Sequence, residues 1–277
     1  MPTTTPLTDA ITALTTYSNT VTGASDTDLS SAVATLAAGY GGSGAEDDLI
    51  AVLSGTFSGA FYNDKITRLK GRSFSNLSNL TSVSLPNLEY LADRAFEGCS
   101  NCEVFNLPRL STANAWAFAG NGKNGSVLHL PKLTGTGNGF SENSKFGIIV
   151  LPLASNLGSY TFNGSKLLTA VDVLGEVINQ NTFKDCTSLE TIIIRSTTVS
   201  QLNNVTAFSN NARYTSGGAG GKIYIPKSLY DALGTGTNDY KSATNWSTVD
   251  GYGTITWKPI EGSYYETHYA DGTAISS

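Results

Sequence analysis

Leu80-Thr81-Ser82-Val83-Ser84-Leu85-Pro86-Asn87-Leu88-Glu89-Tyr90-Leu91-Ala92-Asp93-Arg94-Ala95-Phe96-Glu97-Gly98-Cys99 is one period of a unit that recurs through the middle of the chain. Its phenylalanine belongs to a series, Phe74, Phe96, Phe118, Phe140, Phe162, Phe183 and Phe208, with intervals of 22, 22, 22, 22, 21 and 25 residues. One large apolar residue recurring at a fixed interval marks stacked repeats, because each repeat can bury its apolar face only against its neighbours. The spacing therefore predicts a solenoid with these seven rings as its core ladder. A second register sets the strands, which end in Leu85-Pro86, Leu107-Pro108, Leu130-Pro131 and Leu151-Pro152 and later in Val173-Leu174, Ile194-Arg195 and Ile225-Pro226. Proline just past a strand end removes no ladder donor. Period-2 alternation points Val83/Leu85, Phe105/Leu107, Leu128/Leu130, Ile149/Leu151, Val171/Val173, Ile192/Ile194 and Ile223/Ile225 inward. The expected architecture is one parallel β-sheet along one side, with turns and short helical turns opposite.

Outside the repeats the reading changes. Leu7, Ile11 and Leu14, then Leu29, Val33 and Leu36, fall at helical spacing, and Ser25 to Asp28 offer caps for the second helix. Neither helix is long enough to be stable alone, so residues 1–38 read as an attachment or oligomerisation segment. Residues 39–45 read as a glycine-rich linker, 46–226 as the solenoid, and 227–277 as a C-terminal cap with an aromatic-rich tail. Asn210 to Gly221 inserts a Gly/Ser-rich loop expected to be mobile, and Thr254 to Trp257 reads as a strand.

Charged residues make up 14 % of the chain and the net charge is −5, against roughly 25 % charged in ordinary soluble domains. Lysine and arginine are scattered singly, whereas a nucleic-acid groove needs clustered cations. No apolar run approaches a membrane span, and the Met1-Pro2-Thr3-Thr4 start lacks the basic and apolar regions of a secretory signal. The expectation is no nucleic-acid partner and no membrane insertion.

With the register in place, the Leu80–Cys99 stretch resembles the BspA-like leucine-rich repeat family, whose unit reads roughly L-x-x-(V/I)-x-L-P…(I/L)-x-x-x-A-F-x-x-C. Phe183-Lys184-Asp185-Cys186-Thr187-Ser188-Leu189 repeats the later part of that unit. In middle repeats Asn121, Asn143 and Ser165 stand at the cysteine position. The resemblance implies a leucine-rich-repeat solenoid with a short N-terminal α-helical segment. The flanks, Leu7 to Leu14 and Ser30 to Leu36 before the glycine linker and Ile223 to Ser247 after the repeats, are similar to phage and prophage tail or fibre proteins of Gram-positive hosts.

Candidate chemistry is sparse. Cys99-Ser100-Asn101-Cys102 is a C-x-x-C, but a zinc site would need a second ligand pair. Cys99 and Cys186 follow ladder phenylalanines by three residues and Cys102 falls on an inward leucine position. All three read as buried core residues, with a Cys99–Cys102 disulfide as the alternative. No activating motif surrounds any serine, and His129 and His268 are the only histidines. No catalytic, cofactor-binding or metal residue is assigned. His129 sits at an outward strand position, where exposure is the default.

The outward positions suggest an interface instead. Val127, Ile148, Val150, Ile193 and Tyr224 form a semi-apolar stripe on the outer sheet face, and contiguous exposed apolar residues mark contacts; sheet propensity alone is the competing explanation. Trp246 and Trp257 extend the candidate interface into the aromatic-rich end, where a cap closing the last repeat is the competing explanation. The expected function is a non-enzymatic structural or binding protein. The first reading is a phage virion fibre or tail-associated subunit, located in the virion and binding virion proteins through its N-terminal helices. It would also bind a host-surface protein or glycan and form a homo-oligomer, with a trimer favoured. The alternative is a bacterial cell-surface adhesin.

Overall fold

In the computed structural model, Val52, Gly55 and residues 57–276 are described. The expected assembly helices, with Leu7, Ile11, Leu14, Leu29, Val33 and Leu36, and the linker lie outside the described residues. Each coil of the solenoid contributes a front strand followed by a two-residue back strand. The first three coils give β1 (Gly59–Tyr62) and β2 (Arg68–Leu69), β3 (Leu80–Ser84) and β4 (Tyr90–Leu91), β5 (Val104–Asn106) and β6 (Thr112–Ala113). The next four give β7 (Val127–His129) and β8 (Gly135–Thr136), β9 (Ile148–Leu151) and β10 (Asn156–Leu157), β11 (Ala170–Val173) and β12 (Val177–Ile178), β13 (Thr191–Ile194) and β14 (Gln201–Leu202). Two longer coils close the array with β15 (Gly221–Ile225) and β16 (Ile255–Pro259).

All front strands pair in parallel, but as two ladders, β1-β3-β5 and β7-β9-β11-β13-β15-β16. The expected single sheet is interrupted where the Leu-Pro register lengthens from 22 residues (Leu85 to Leu107) to 23 (Leu107 to Leu130). The extra residue is absorbed in a turn that places Gly122 at φ 88° and Gly125 at φ 79° and bonds the Lys123 N–H to the Cys102 carbonyl at 3.1 Å. Opposite the front, where turns and short helical turns were expected, the even-numbered strands β2, β4, β6, β8, β10, β12 and β14 stack as a seven-stranded ladder of two-residue strands. Turns at the phenylalanines form a further ladder, in which Phe74, Phe96 and Phe183 N–H groups donate to Ala95, Ala117 and Ala207 carbonyls at 2.8, 2.9 and 2.8 Å. Neighbouring coils are thus joined through backbone bonds at the front, the back and the phenylalanine turns, except at the front between β5 and β7.

The seven ladder phenylalanines are buried at 0–1 % exposure. Their rings pack 5.2, 5.7 and 5.1 Å apart from Phe74 to Phe140, and 5.7 and 5.4 Å apart from Phe162 to Phe208. Aromatic contact then passes from Phe208 to Trp246 at 5.9 Å.

Cys99, Cys102 and Cys186 are free and buried. The position three residues after the phenylalanine has a specific task. Cys99 and Cys186 thiols donate to the Phe74 and Phe162 carbonyls of the preceding coil at 2.9 and 3.0 Å. Ser165 and Asn211 do likewise toward Ser141 and Phe183 at 2.9 and 3.3 Å. In the Phe140 coil the buried residue is Ser144, not Asn143, because Asn143 takes a left-handed conformation (φ 54°) and points outward.

Two features differ from the sequence reading. The sheet continues past residue 226, since β16 pairs with β15 from Gly221↔Ile255 to Ile225↔Pro259. Between them run two short helices, α1 (Lys227–Asp231) and α2 (Trp246–Asp250). The Asn210–Gly221 loop is pinned rather than free. The Tyr214 ring is fully buried against Phe208, and its hydroxyl lies 2.8 and 3.0 Å from the Glu190 and Lys222 carbonyls.

Candidate recognition surface

Strand pairing aligns the outward residues into rows. One row runs His129↔Val150↔Asp172↔Ile193↔Tyr224, and the row beside it Val127↔Ile148↔Ala170↔Thr191↔Lys222. On the N-terminal ladder the corresponding rows are Tyr62↔Ser84↔Asn106 and Ala60↔Ser82↔Val104.

The first row is covered. After β16 the chain turns through Gly262 (φ 77°) and a 3-10 turn at Tyr264–Glu266, then returns across the outer face as a strap. The Tyr265 ring meets Tyr224 edge-on at 4.7 Å. Arg195, just past β13, donates to the Tyr265 and His268 carbonyls, each at 3.1 Å. Asp172 on β11 accepts the Ala270 N–H at 3.0 Å, and His129 on β7 bonds Asp271 at 2.8 Å. Tyr269 packs on His129 at 5.3 Å and beneath the Arg195 guanidinium at 5.0 Å. The strap tip is held by the Tyr269 N–H to the Thr273 carbonyl at 2.8 Å.

Under the strap lies an ion pair with a fork geometry. Arg195 Nε and Nη2 donate to the two Asp172 carboxylate oxygens at 2.6 and 2.8 Å. The carboxyl is fully buried and Arg195 is half-buried. Burial pushes the Asp172 carboxyl above its ordinary range, with the guanidinium and the Ala270 N–H pulling against that shift.

The candidate interface residues therefore divide. Val150 and Ile193 are at 0 % exposure, Ile148 and Tyr224 are half-buried, and Val127 is exposed. Val150 and Ile193 are corrected from an external contact to an internal one, since their row partners on both sides touch the strap. Trp246 and Trp257 are corrected likewise. Both are buried with Tyr240, Trp246 donates to the Ser200 carbonyl at 2.8 Å, and Trp257 donates to Asp250 at 2.6 Å. They close the last coil. His129, expected to be exposed, is held by Asp271. Asp172, Arg195, Tyr265, Tyr269 and Asp271 are the contacts that the sequence reading missed. A charged residue flanked by valine and isoleucine in an outward row was the available signal. The large apolar groups left exposed on the front are Tyr62 and Val104 on the N-terminal ladder and Val127 on β7, the first strand of the other ladder, at 64, 51 and 38 % exposure.

Among the described residues no cluster of three or more His, Cys, Asp or Glu side chains could hold a metal ion, and no helix is long and apolar enough to cross a membrane.

Among solved structures the chain is similar to the leucine-rich repeat protein TpLRR of T. pallidum (19 % identity, TM-score 0.44), covering 49 % of this chain and 71 % of that one. It is similar to a leucine-rich repeat protein from Bacteroides ovatus (16 %, TM-score 0.44, covering 74 % and 61 %). A leucine rich cell surface protein from Faecalibacterium prausnitzii is also similar (12 %, TM-score 0.36, covering 83 % and 85 %). None of the curated proteins matches. The family described as BspA type leucine rich repeat region (6 copies) matches over residues 56–169 and again over 138–229. With its parallel coils and phenylalanine ladder, the chain belongs to the BspA-type leucine-rich repeat family.

Proposed function

We propose that this chain is a non-enzymatic recognition subunit of a phage virion, fibre- or tail-associated. It displays its repeat solenoid to a host-surface protein or glycan. The observation that carries the recognition reading is the exposure of Tyr62 and Val104 on the N-terminal ladder and of Val127 on the neighbouring β7, each on backbone fixed by parallel strand pairing. Exposed aromatic and aliphatic groups on a rigid surface are what a contact needs, because little ordering entropy is lost when they are covered. The virion assignment rests on the resemblance of the flanks, Leu7 to Leu14 and Ser30 to Leu36 before the glycine linker and Ile223 to Ser247 after the repeats, to phage and prophage tail or fibre proteins. The N-terminal segment would join virion proteins and assemble the chain as a homo-oligomer, with a trimer favoured.

Size measurement of the full chain and of a chain lacking residues 1–44 tests the assembly role. An oligomer that becomes monomeric on truncation supports it, and a monomer in both cases removes it. For recognition, Tyr62→Lys with Val104→Lys is expected to weaken host-envelope binding at least tenfold without changing the melting temperature. Equal binding would refute the front-sheet contact. The same exposed patch would serve a bacterial cell-surface adhesin of this family. An antibody to the solenoid that labels purified particles favours the virion, and label confined to the cell envelope favours the adhesin.

A further inference from the structure

The strap is chemically unlike the solenoid it covers. No residue from 261 to 276 is fully buried, so the strap is held by a few directed contacts. Those contacts form a pattern. Tyr265 meets Tyr224, Tyr269 fits between His129 and Arg195, and Asp271 reaches His129. Backbone groups do the rest, with two carbonyls accepting from Arg195 and the Ala270 N–H donating to Asp172. The receiving side is prebuilt. Arg195 and Asp172 orient each other through the fork, and residues from four different strands or strand ends, His129, Asp172, Arg195 and Tyr224, converge on one short segment.

We propose that this part of the front sheet is a peptide-recognition site for the pattern aromatic-x3-aromatic-x-acidic, occupied in cis by residues 264–274 as a displaceable strap. Backbone contacts to Arg195 and Asp172 supply affinity that does not depend on side chains, and the two tyrosine positions and the carboxylate supply selectivity, as in other modes of peptide capture. Covalent attachment keeps the strap at high local concentration, so an external segment of the same pattern competes only when the strap is weakened or the partner is multivalent. Release would uncover Val150, Ile193 and the Asp172–Arg195 pair beside the exposed Val127, enlarging the contact surface.

The inference deepens the recognition reading of the same sheet and rests on it. A labelled synthetic peptide of residues 261–277 is the probe, added to the full-length chain and to full-length Tyr269→Ala/Asp271→Asn. The double variant is expected to bind the peptide at least tenfold more tightly than the parent, with faster amide exchange in residues 264–274. A peptide carrying Tyr265→Ala, Tyr269→Ala and Asp271→Asn is expected to bind that variant at least tenfold more weakly. Arg195→Lys, added to the variant, keeps the charge but loses the fork and should weaken the natural peptide similarly. Equal peptide binding by parent and variant, including none by either, overturns the strap as a cover. Equal binding of the two peptides overturns the pattern. The probe involves neither particles nor host cells, so failure here leaves the particle-association and Tyr62/Val104 tests standing, and their failure leaves this one standing.

Discussion

Phe118 shows what one residue contributes to this molecule. Its ring is fully buried and touches Phe96, Phe105 and Phe140 at 5.7, 5.3 and 5.1 Å, so it joins three coils. Phe118→Ala is expected to lower stability by about 3–5 kcal/mol, because the flanking ladders prevent the coils from collapsing into the space. Denaturant unfolding measures it, and a variant as stable as the parent would show the register to be wrong. The cysteines are structural for a similarly local reason. Burial, opposed by backbone hydrogen bonds, pushes each thiol up to about 12. Thiolate is therefore scarce at neutral pH. A thiol reagent is expected to leave the native protein unmodified and to titrate all three cysteines after unfolding. Rapid reaction in the native state would place one of them at the surface. Buried cysteines were legible from their register; their bonds to the preceding coil were not, because that partner is set by the stacking offset between coils.

At the scale of the element, the close approach of coils is set by residues without side chains. A Cβ on Gly137 would lie 2.4 Å from the Asn114 carbonyl carbon, and one on Gly158 would lie 2.8 Å from the Gly137 carbonyl carbon. The obstacle is backbone in both cases and cannot rotate away. Gly137→Ala is expected to cost about 1–3 kcal/mol by overpacking, read as a lower melting temperature; an unchanged value would mean that the coils can slide apart at no cost. The corners also have a repeated signature. Residues two after the ladder phenylalanine, Asn76, Gly98, Gly120, Gly164, Asp185 and Asn210, take positive φ. These are the types that tolerate the left-handed conformation. That signal was present in the sequence, as were the front strands. The two-residue back strands were not legible, because a strand of two residues has no measurable alternation and exists only through its neighbours.

For the whole molecule, the strap sets this solenoid apart from a plain stack, in which each coil meets only adjacent coils. The His129–Asp271 bond joins residues 142 apart in sequence. Val104 and Ile193 make the consequence measurable, since both point out from the front face but one is 51 % exposed and the other 0 %. Ile193→Lys is expected to lower the melting temperature, because its ammonium must either desolvate or dislodge the strap. Val104→Lys is expected to leave it unchanged. Equal effects in calorimetry would mean that the strap does not hold the face closed in solution. The repeat period, the inward faces of the strands and the core ladder were all written in the sequence, since each follows from a spacing that local geometry must obey. Which outward residues meet solvent was not, because periodicity reports the direction of a side chain and says nothing of what later arrives above it. Asp172 takes its partner from Ala270, 98 residues further along the chain, and Val150 and Ile193 share the row that the strap crosses, through contacts that exist only once the coils are stacked.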